Sequence, residues 1–179
     1  MISASKPIVR NIKVGFRYDN KRKSSSEIKE ILTLLNSKHL HNFSILRNKI
    51  IFSIFLTGGY INITGINTEK EIITARDHIK NLLQIEEILG PTQIHNICAS
   101  GKLSSTVNLE KIREHLKKFT DYKTILNLSY FPALFFTIKN LGTCVLYRNG
   151  KYSLVGVREF DKIIPFIDEI VIILNDVSA

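Results

Sequence analysis

The chain has 179 residues, 44% of them hydrophobic and 23% charged, enough apolar surface for one sizeable core or two small ones and too much for a disordered chain. Lys and Arg outnumber Asp and Glu by 25 to 16, a formal charge of +9 that favours polyanionic partners such as nucleic acid. The opening "MISASKPIVR" has no apolar core of a secretory signal and no uncharged run of bilayer length follows, so a soluble, intracellular, non-secreted protein is expected.

The charge is uneven. Residues 1–50 hold 11 basic and 3 acidic residues, a balance of +8, so the first half is expected to carry most of the positive field. Within it, "NIKVGFRY" at 11–18 alternates as a half-buried strand. Ile12, Val14, Phe16 and Tyr18 share one face; Asn11, Lys13, Gly15 and Arg17 share the other. Lys21, Arg22 and Lys23 read as a solvated loop, and Ser24 to Ser26 as a linker and cap, since no general base or oxyanion arrangement accompanies them.

Ser24 and Glu27 have capping-box spacing ahead of Ile28, Ile31, Leu32 and Leu35, the stripe of an amphipathic helix. His39 and His41 are spaced like metal ligands, but no Cys or acidic cluster joins them, so neither a metal nor another cofactor is expected. The short apolar strands "FSILR", "KIIFSIFL" and "YINITGI" follow, the last two joined through Gly58 and Gly59 as a tight hairpin. Thr68 and Glu71 make a second capping box before Ile72, Ala75, Ile79, Leu82 and Leu83.

The second half repeats this order. "NICASGK" puts Asn96, Cys98, Ser100 and Lys102 on a polar face; "SSTVNLEKIREHLKKF" carries a stripe of Leu109, Ile112, Leu116 and Phe119. "FPALFFTIK", "TCVLYR" and "KYSLVGV" are strands with a turn at Asn149-Gly150, and "EFDKIIPFIDEIVIIL" is a closing helix with a break expected at Pro165. Asn11 and Asn96 are 85 residues apart, Gly65 and Gly156 91, so two repeats, 1–90 and 91–179, differ in loop length. Cys98 and Cys144 lack metal-like spacing and read as small apolar thiols.

The fold class is therefore α+β: two copies of strand, helix, antiparallel strands, helix. Helices on one side leave the other side of the sheet open, with Asn11, Lys13, Asn62, Thr64, Asn96, Cys98, Ser153 and Val155 on it, as a binding surface would have.

This duplicated order resembles the TATA-binding protein family. The likeness rests on "NI" at 11 and 96, "FPALFF" at 131–136, "VLYRNGKYSLVGV" at 145–157 and "IIPFI" at 163–167. It implies a saddle, one curved antiparallel sheet with helices on its convex face, whose concave face lies on the DNA minor groove. In that family two first-strand asparagines donate to base edges, and they match Asn11 and Asn96; Thr64, Val155, Lys13 and Cys98 lie beside them on the groove floor. An amide donor tolerates A·T in either orientation, because both offer only acceptors in the minor groove, whereas the guanine amino group obstructs it.

The family also drives apolar wedges between base steps, matched by Phe131 and Tyr147 in the second repeat. In the first repeat Phe43 and Leu56 match, with Phe55 an alternative to Leu56. The family is itself the known example of such a kink, about 80°, at a few kcal/mol per unstacked step. Lys49, Arg17, Lys102 and Lys151 match phosphate contacts, while Thr137 in the second repeat and Tyr60 in the first have lost a charge, so weaker or asymmetric anchoring is expected in the second repeat, partly offset by the basic first.

The implied partners are double-stranded A·T-rich DNA, other initiation factors and RNA polymerase machinery, with no membrane. The loop "YKTILNLSY" lacks the acidic stretch by which the family meets transcription factor IIB, which points to an altered contact there. Two rivals remain. One is the same fold as a protein-interaction platform with weakened DNA contacts, favoured by Val155, Thr137 and Tyr147; the other is an accessory domain of an enzyme such as a ribonuclease H or DNA glycosylase. The wealth of Ile, Asn and Lys fits an A·T-rich genome, with a nuclear location if cellular and eukaryotic, a replication site or virion if viral.

Overall fold

The structure, a computed structural model, describes residues 1–19, 24–34, 43–47, 49–85 and 87–178, with backbone alone for 43–47. Lys21, Arg22, Lys23, Leu35, His39 and His41 lie outside the described residues, as does the side chain of Phe43.

The chain divides into two compact units. The first is Asn11–His95; the second joins Met1–Arg10 to Asn96–Ala179. The first holds β1 (Ile8–Tyr18, entering the unit at Asn11), α1 (Ser25–Leu34), β2 (Phe43–Arg47), β3 (Ile50–Phe55), β4 (Tyr60–Ile66) and α2 (Glu69–Leu83), with antiparallel strands in the order β2-β3-β4-β1. The second holds β5 (Ile88–Lys102, entering at Asn96), α3 (Leu109–Leu116), β6 (Tyr122–Leu126), β7 (Ala133–Ile138), β8 (Gly142–Tyr147), β9 (Lys151–Val157) and α4 (Ile163–Ser178), in the order β5-β9-β8-β7-β6. The α+β class and the order of parts are those expected.

Each sheet buries one face. Ile12, Val14, Phe16 and Tyr18 of β1 are buried with Phe52 and Ile54 of β3, and Ile28, Leu32, Ile72, Ala75, Ile79 and Leu83 are the apolar stripes of the helices above them. In the second unit Ile97, Ala99, Phe136, Leu146 and Leu154 meet the stripes of α3 and α4. Each of the larger aliphatic and phenylalanine side chains contributes about 1.5–3 kcal/mol by leaving water. Both capping boxes form: Glu27 and Glu71 accept from the backbone of Ser24 and Thr68, whose hydroxyls accept in return.

Three expectations are corrected. Pro165 does not break the last helix; α4 starts at Ile163, so the proline stands in the first turn, where no intrahelical acceptor awaits an N–H. Phe119 does not extend the α3 stripe, because the helix ends at Leu116 and Phe119 is left exposed, stacked edge-on against Tyr122. The stretch before Phe131 is not all loop: β6 runs through it as the edge strand. No helix among the described residues is long and apolar enough to cross a membrane.

The edge strand is tied to α4 by Tyr122, whose hydroxyl donates to Glu169 Oε1 at 2.6 Å. That bond, with desolvation and the Glu169 charge, pushes the phenol up to about 12. A raised tyrosine pKa favours the neutral form, so its contribution is complete below the unfolded value near 10 and is lost as pH rises through about 12. Melting temperatures of the wild type should therefore fall more steeply over this interval than those of Tyr122→Phe. Parallel curves would show that the bond does not anchor β6.

Candidate nucleic-acid interface

The same device is built once in each unit. Ile12 faces Ile66 but Val14 faces Ile63, so the β1–β4 ladder slips by one residue and β4 takes up the excess at Thr64-Gly65. In the second unit Ile97 faces Val157 but Ala99 faces Leu154, and β9 bulges at Val155-Gly156. The bulges need positive φ, +91° at Gly65 and +84° at Gly156, which glycine adopts without steric cost.

Each bulge frees a glycine N–H, and an asparagine carbonyl takes it. Gly65 donates to Asn11 Oδ1 at 2.7 Å and Gly156 to Asn96 Oδ1 at 2.6 Å. Thr64 Oγ1 also donates to Asn11 Oδ1, at 3.2 Å. Holding the carbonyl end fixes the amide flip and leaves the NH₂ group as the donor end. Asn96 Nδ2 gives one hydrogen to Cys98 Sγ at 3.1 Å, leaving a second N–H.

The other expected groove residues lie on the same open faces. Thr64 and Cys98 are half-buried, Val155 is 37% exposed, and Lys13, Arg17, Lys102 and Lys151 are exposed. Phe131 is 40% exposed and its ring lies 6.0 Å from Tyr147 and 5.4 Å from Phe135. The two expected wedges of the second unit are thus neighbours, with Phe135 as a third ring.

Strand register redraws the correspondence between units. Thr64 faces Ile51 as Val155 faces Thr143, which makes Phe55, not Leu56, the counterpart of Tyr147. The β3–β4 loop is a residue longer than the β8–β9 loop, so counting back from the glycine misses this; Leu56 sits one place past the strand. Phe43 faces Ile54 as Leu134 faces Leu146, so its backbone position matches Leu134 and not Phe131. Lys49 matches Asn140 and not Thr137: both are turn residues with positive φ, +71° and +65°. Thr137 bonds to the Thr143 hydroxyl at 2.9 Å.

Among the described residues, none of the nine strands contains an Asp or Glu; their ionised residues are Arg10, Lys13, Arg17, Arg47, Lys102, Lys123 and Lys151. The described carboxylates sit in helices and connections, so the field over the open faces is positive. At one corner of the first unit the Tyr60 hydroxyl shares a 2.6 Å hydrogen bond with His95 Nε2, directly over Gly15, where a Cβ would have no room. Burial raises the Tyr60 pKa and the Arg17 charge opposes it. Cys144 is buried and its thiol pKa is pushed up by desolvation, as suits a packing residue. Among the described residues no cluster of His, Cys, Asp or Glu could hold a metal ion.

Two sets of residues escaped the sequence reading. Phe135 alternates correctly for the open face but is lost within a run of apolar residues. Lys6 and Arg10 precede Asn11 in the chain, yet belong to the second unit.

Residues 91–177 match the family model of transcription factor TFIID, or TATA-binding protein. The fold matches that of the TATA-binding protein of Methanococcus jannaschii with a TM-score of 0.77 and 16% identity, over 96% of this chain and 99% of that one. A heterotetrameric sarcosine oxidase from Corynebacterium sp. U-96 aligns over 99% of this chain and 86% of its own at a TM-score of 0.33 and 10% identity, a likeness that carries no argument. No curated protein matches the sequence. The second half of the chain thus matches the TATA-binding protein family model, and the chain as a whole has the fold of a TATA-binding protein.

Proposed function

We propose that the protein is a transcription initiation factor that binds the minor groove of A·T-rich promoter DNA, kinks it and nucleates an initiation complex with other initiation factors and the polymerase machinery. The observation that carries this reading is the pair of asparagine amides held through their carbonyl oxygens by glycine bulges, which leaves N–H groups as the donors they can offer on carboxylate-free strands. Adenine N3 and thymine O2 are the acceptors such donors meet, and the guanine amino group would collide with them.

Phe131 and Tyr147 in the second unit, and Phe55 with Leu56 in the first, are the wedges in this scheme. An inserted ring replaces the stacking that the opened base step loses. The other reading, a protein-interaction platform on the same fold, is favoured by Val155 where the family has threonine and by Thr137, whose hydroxyl is held by Thr143.

One experiment decides between them. End-labelled FRET on a short TA-rich duplex should show binding and a shortened end-to-end distance with the wild-type chain, and a G·C duplex of the same length should show neither. If the TA-rich duplex is neither bound nor bent, or the G·C duplex performs equally, the minor-groove reading fails and the platform stands.

A further inference from the structure

The N-terminal segment is stitched onto the second unit. Ala4 bridges to Leu103, Ser5 N donates to Lys102 O at 2.8 Å, Lys102 N donates to Ser5 Oγ at 3.0 Å, and the Tyr152 hydroxyl donates to Ser5 O at 3.1 Å. Farther back, Ile2 exchanges hydrogen bonds with the Asn175 side chain at 2.7 and 3.1 Å. These contacts bring Lys6 and Arg10 beside Lys102 and Lys151 of β5 and β9.

The four cations line a cleft of about 530 Å³ with Ser100 and Tyr147 on its wall and no carboxylate in it. Among the described residues none of the four is in an ion pair. Four like charges kept this close repel one another, a cost that no internal anion offsets. Arg10 is also oriented: its Nε donates to Ser100 Oγ at 2.8 Å, which leaves both terminal NH₂ groups as a fork.

The geometry points to a seat for a backbone phosphate of bound nucleic acid, gripped by the Arg10 fork and by Lys6, Lys102 and Lys151. The inference rests on the DNA-binding reading and deepens it. A planar guanidinium with one nitrogen already fixed matches two phosphate oxygens at little entropic cost, and the lysines add point charges around it. The cleft adjoins Tyr147, so a phosphate held there would lie next to the base step that Phe131 and Tyr147 address. The second unit then is not a weakly anchored half; the N-terminal segment adds Lys6 and Arg10 to its own Lys102 and Lys151.

The test is the salt dependence of binding to the TA-rich duplex, read by FRET on the full chain. Removing one cation from a phosphate should make the slope of log K against log salt less negative by about 0.9. The Lys6→Gln/Arg10→Gln double variant should lose about 1–2 units of slope and about tenfold or more in affinity at low salt. Arg10→Lys should keep the slope and lose affinity, because the charge remains and the fork does not. Lys111→Gln, on α3, should match the wild type in both. A double variant with wild-type slope and affinity, or Arg10→Lys with full affinity, would overturn the seat while leaving DNA binding intact. A wild type that binds neither TA-rich nor G·C duplex would remove both readings together.

Discussion

Replacing both asparagines by aspartate, Asn11→Asp with Asn96→Asp, should abolish recognition of the TA-rich duplex and leave the fold almost untouched. A carboxylate accepts the Gly65 and Gly156 N–H groups at least as well as an amide carbonyl does, so both bulges keep their partner. The outward end changes from a donor to an anionic acceptor facing acceptors in a groove of negative potential. Each base-edge hydrogen bond removed costs about 1–3 kcal/mol, so the pair should cost on the order of 100-fold in affinity or more, before repulsion is added. Chemical unfolding should stay within about 1 kcal/mol of the wild type.

Alanine at the same positions is a poorer probe. It removes the donor but also strands two glycine N–H groups, each costing about 1–3 kcal/mol. Reduced binding could then follow from a collapsed bulge. The aspartate pair separates the two effects, and a double aspartate variant that binds the TA-rich duplex like the wild type would show that the amides do not read the groove.

Much of this site was visible in the residues. Asn11 and Asn96 stood out because a duplicated pattern set them in equivalent places, and the alternation in "NIKVGFRY" and "NICASGK" assigned them to the uncovered face. Gly65 and Gly156 matched as well, but only the ladder slip shows that their N–H groups hold the asparagines. That link joins strands 54 and 60 residues apart, and a pairing at such separation leaves no local trace.

The failures share this cause. The edge strand β6 looked like loop because its most apolar residue, Ile125, points to solvent, 68% exposed, while Tyr122, Thr124 and Leu126 are half-buried. Lys6 and Arg10 looked like part of the first half because they precede Asn11 in the chain; the hydrogen bonds of Ser3, Ser5 and Arg10 to residues 100–104 place the segment elsewhere. Phe55 and Leu56 could not be ranked by counting, since one extra loop residue reverses the answer and turn lengths are weakly written in composition.

The two bulge glycines, although equivalent by register, should respond very differently to a methyl group. At Gly156 a Cβ would have Gly142 Cα, 3.9 Å away, as its nearest neighbour, an ordinary contact. Gly156→Ala therefore pays only for a positive φ, about 1–2 kcal/mol. At Gly65 the Cβ would lie 2.2 Å from Lys49 O and 3.1 Å from Lys49 C, against backbone in a tight turn that itself holds Lys49 at φ +71°. Neither group is the end of a flexible side chain, so relief requires moving the β2–β3 turn or opening the bulge. Gly65→Ala should cost about 3 kcal/mol or more, measured by urea unfolding. Opening the bulge would also withdraw the N–H that holds Asn11, so affinity for the TA-rich duplex should fall with stability in this variant and much less in Gly156→Ala. Equal losses at the two glycines would mean that backbone conformation alone sets the cost, and that the close approach of Lys49 does not stiffen the first-unit bulge.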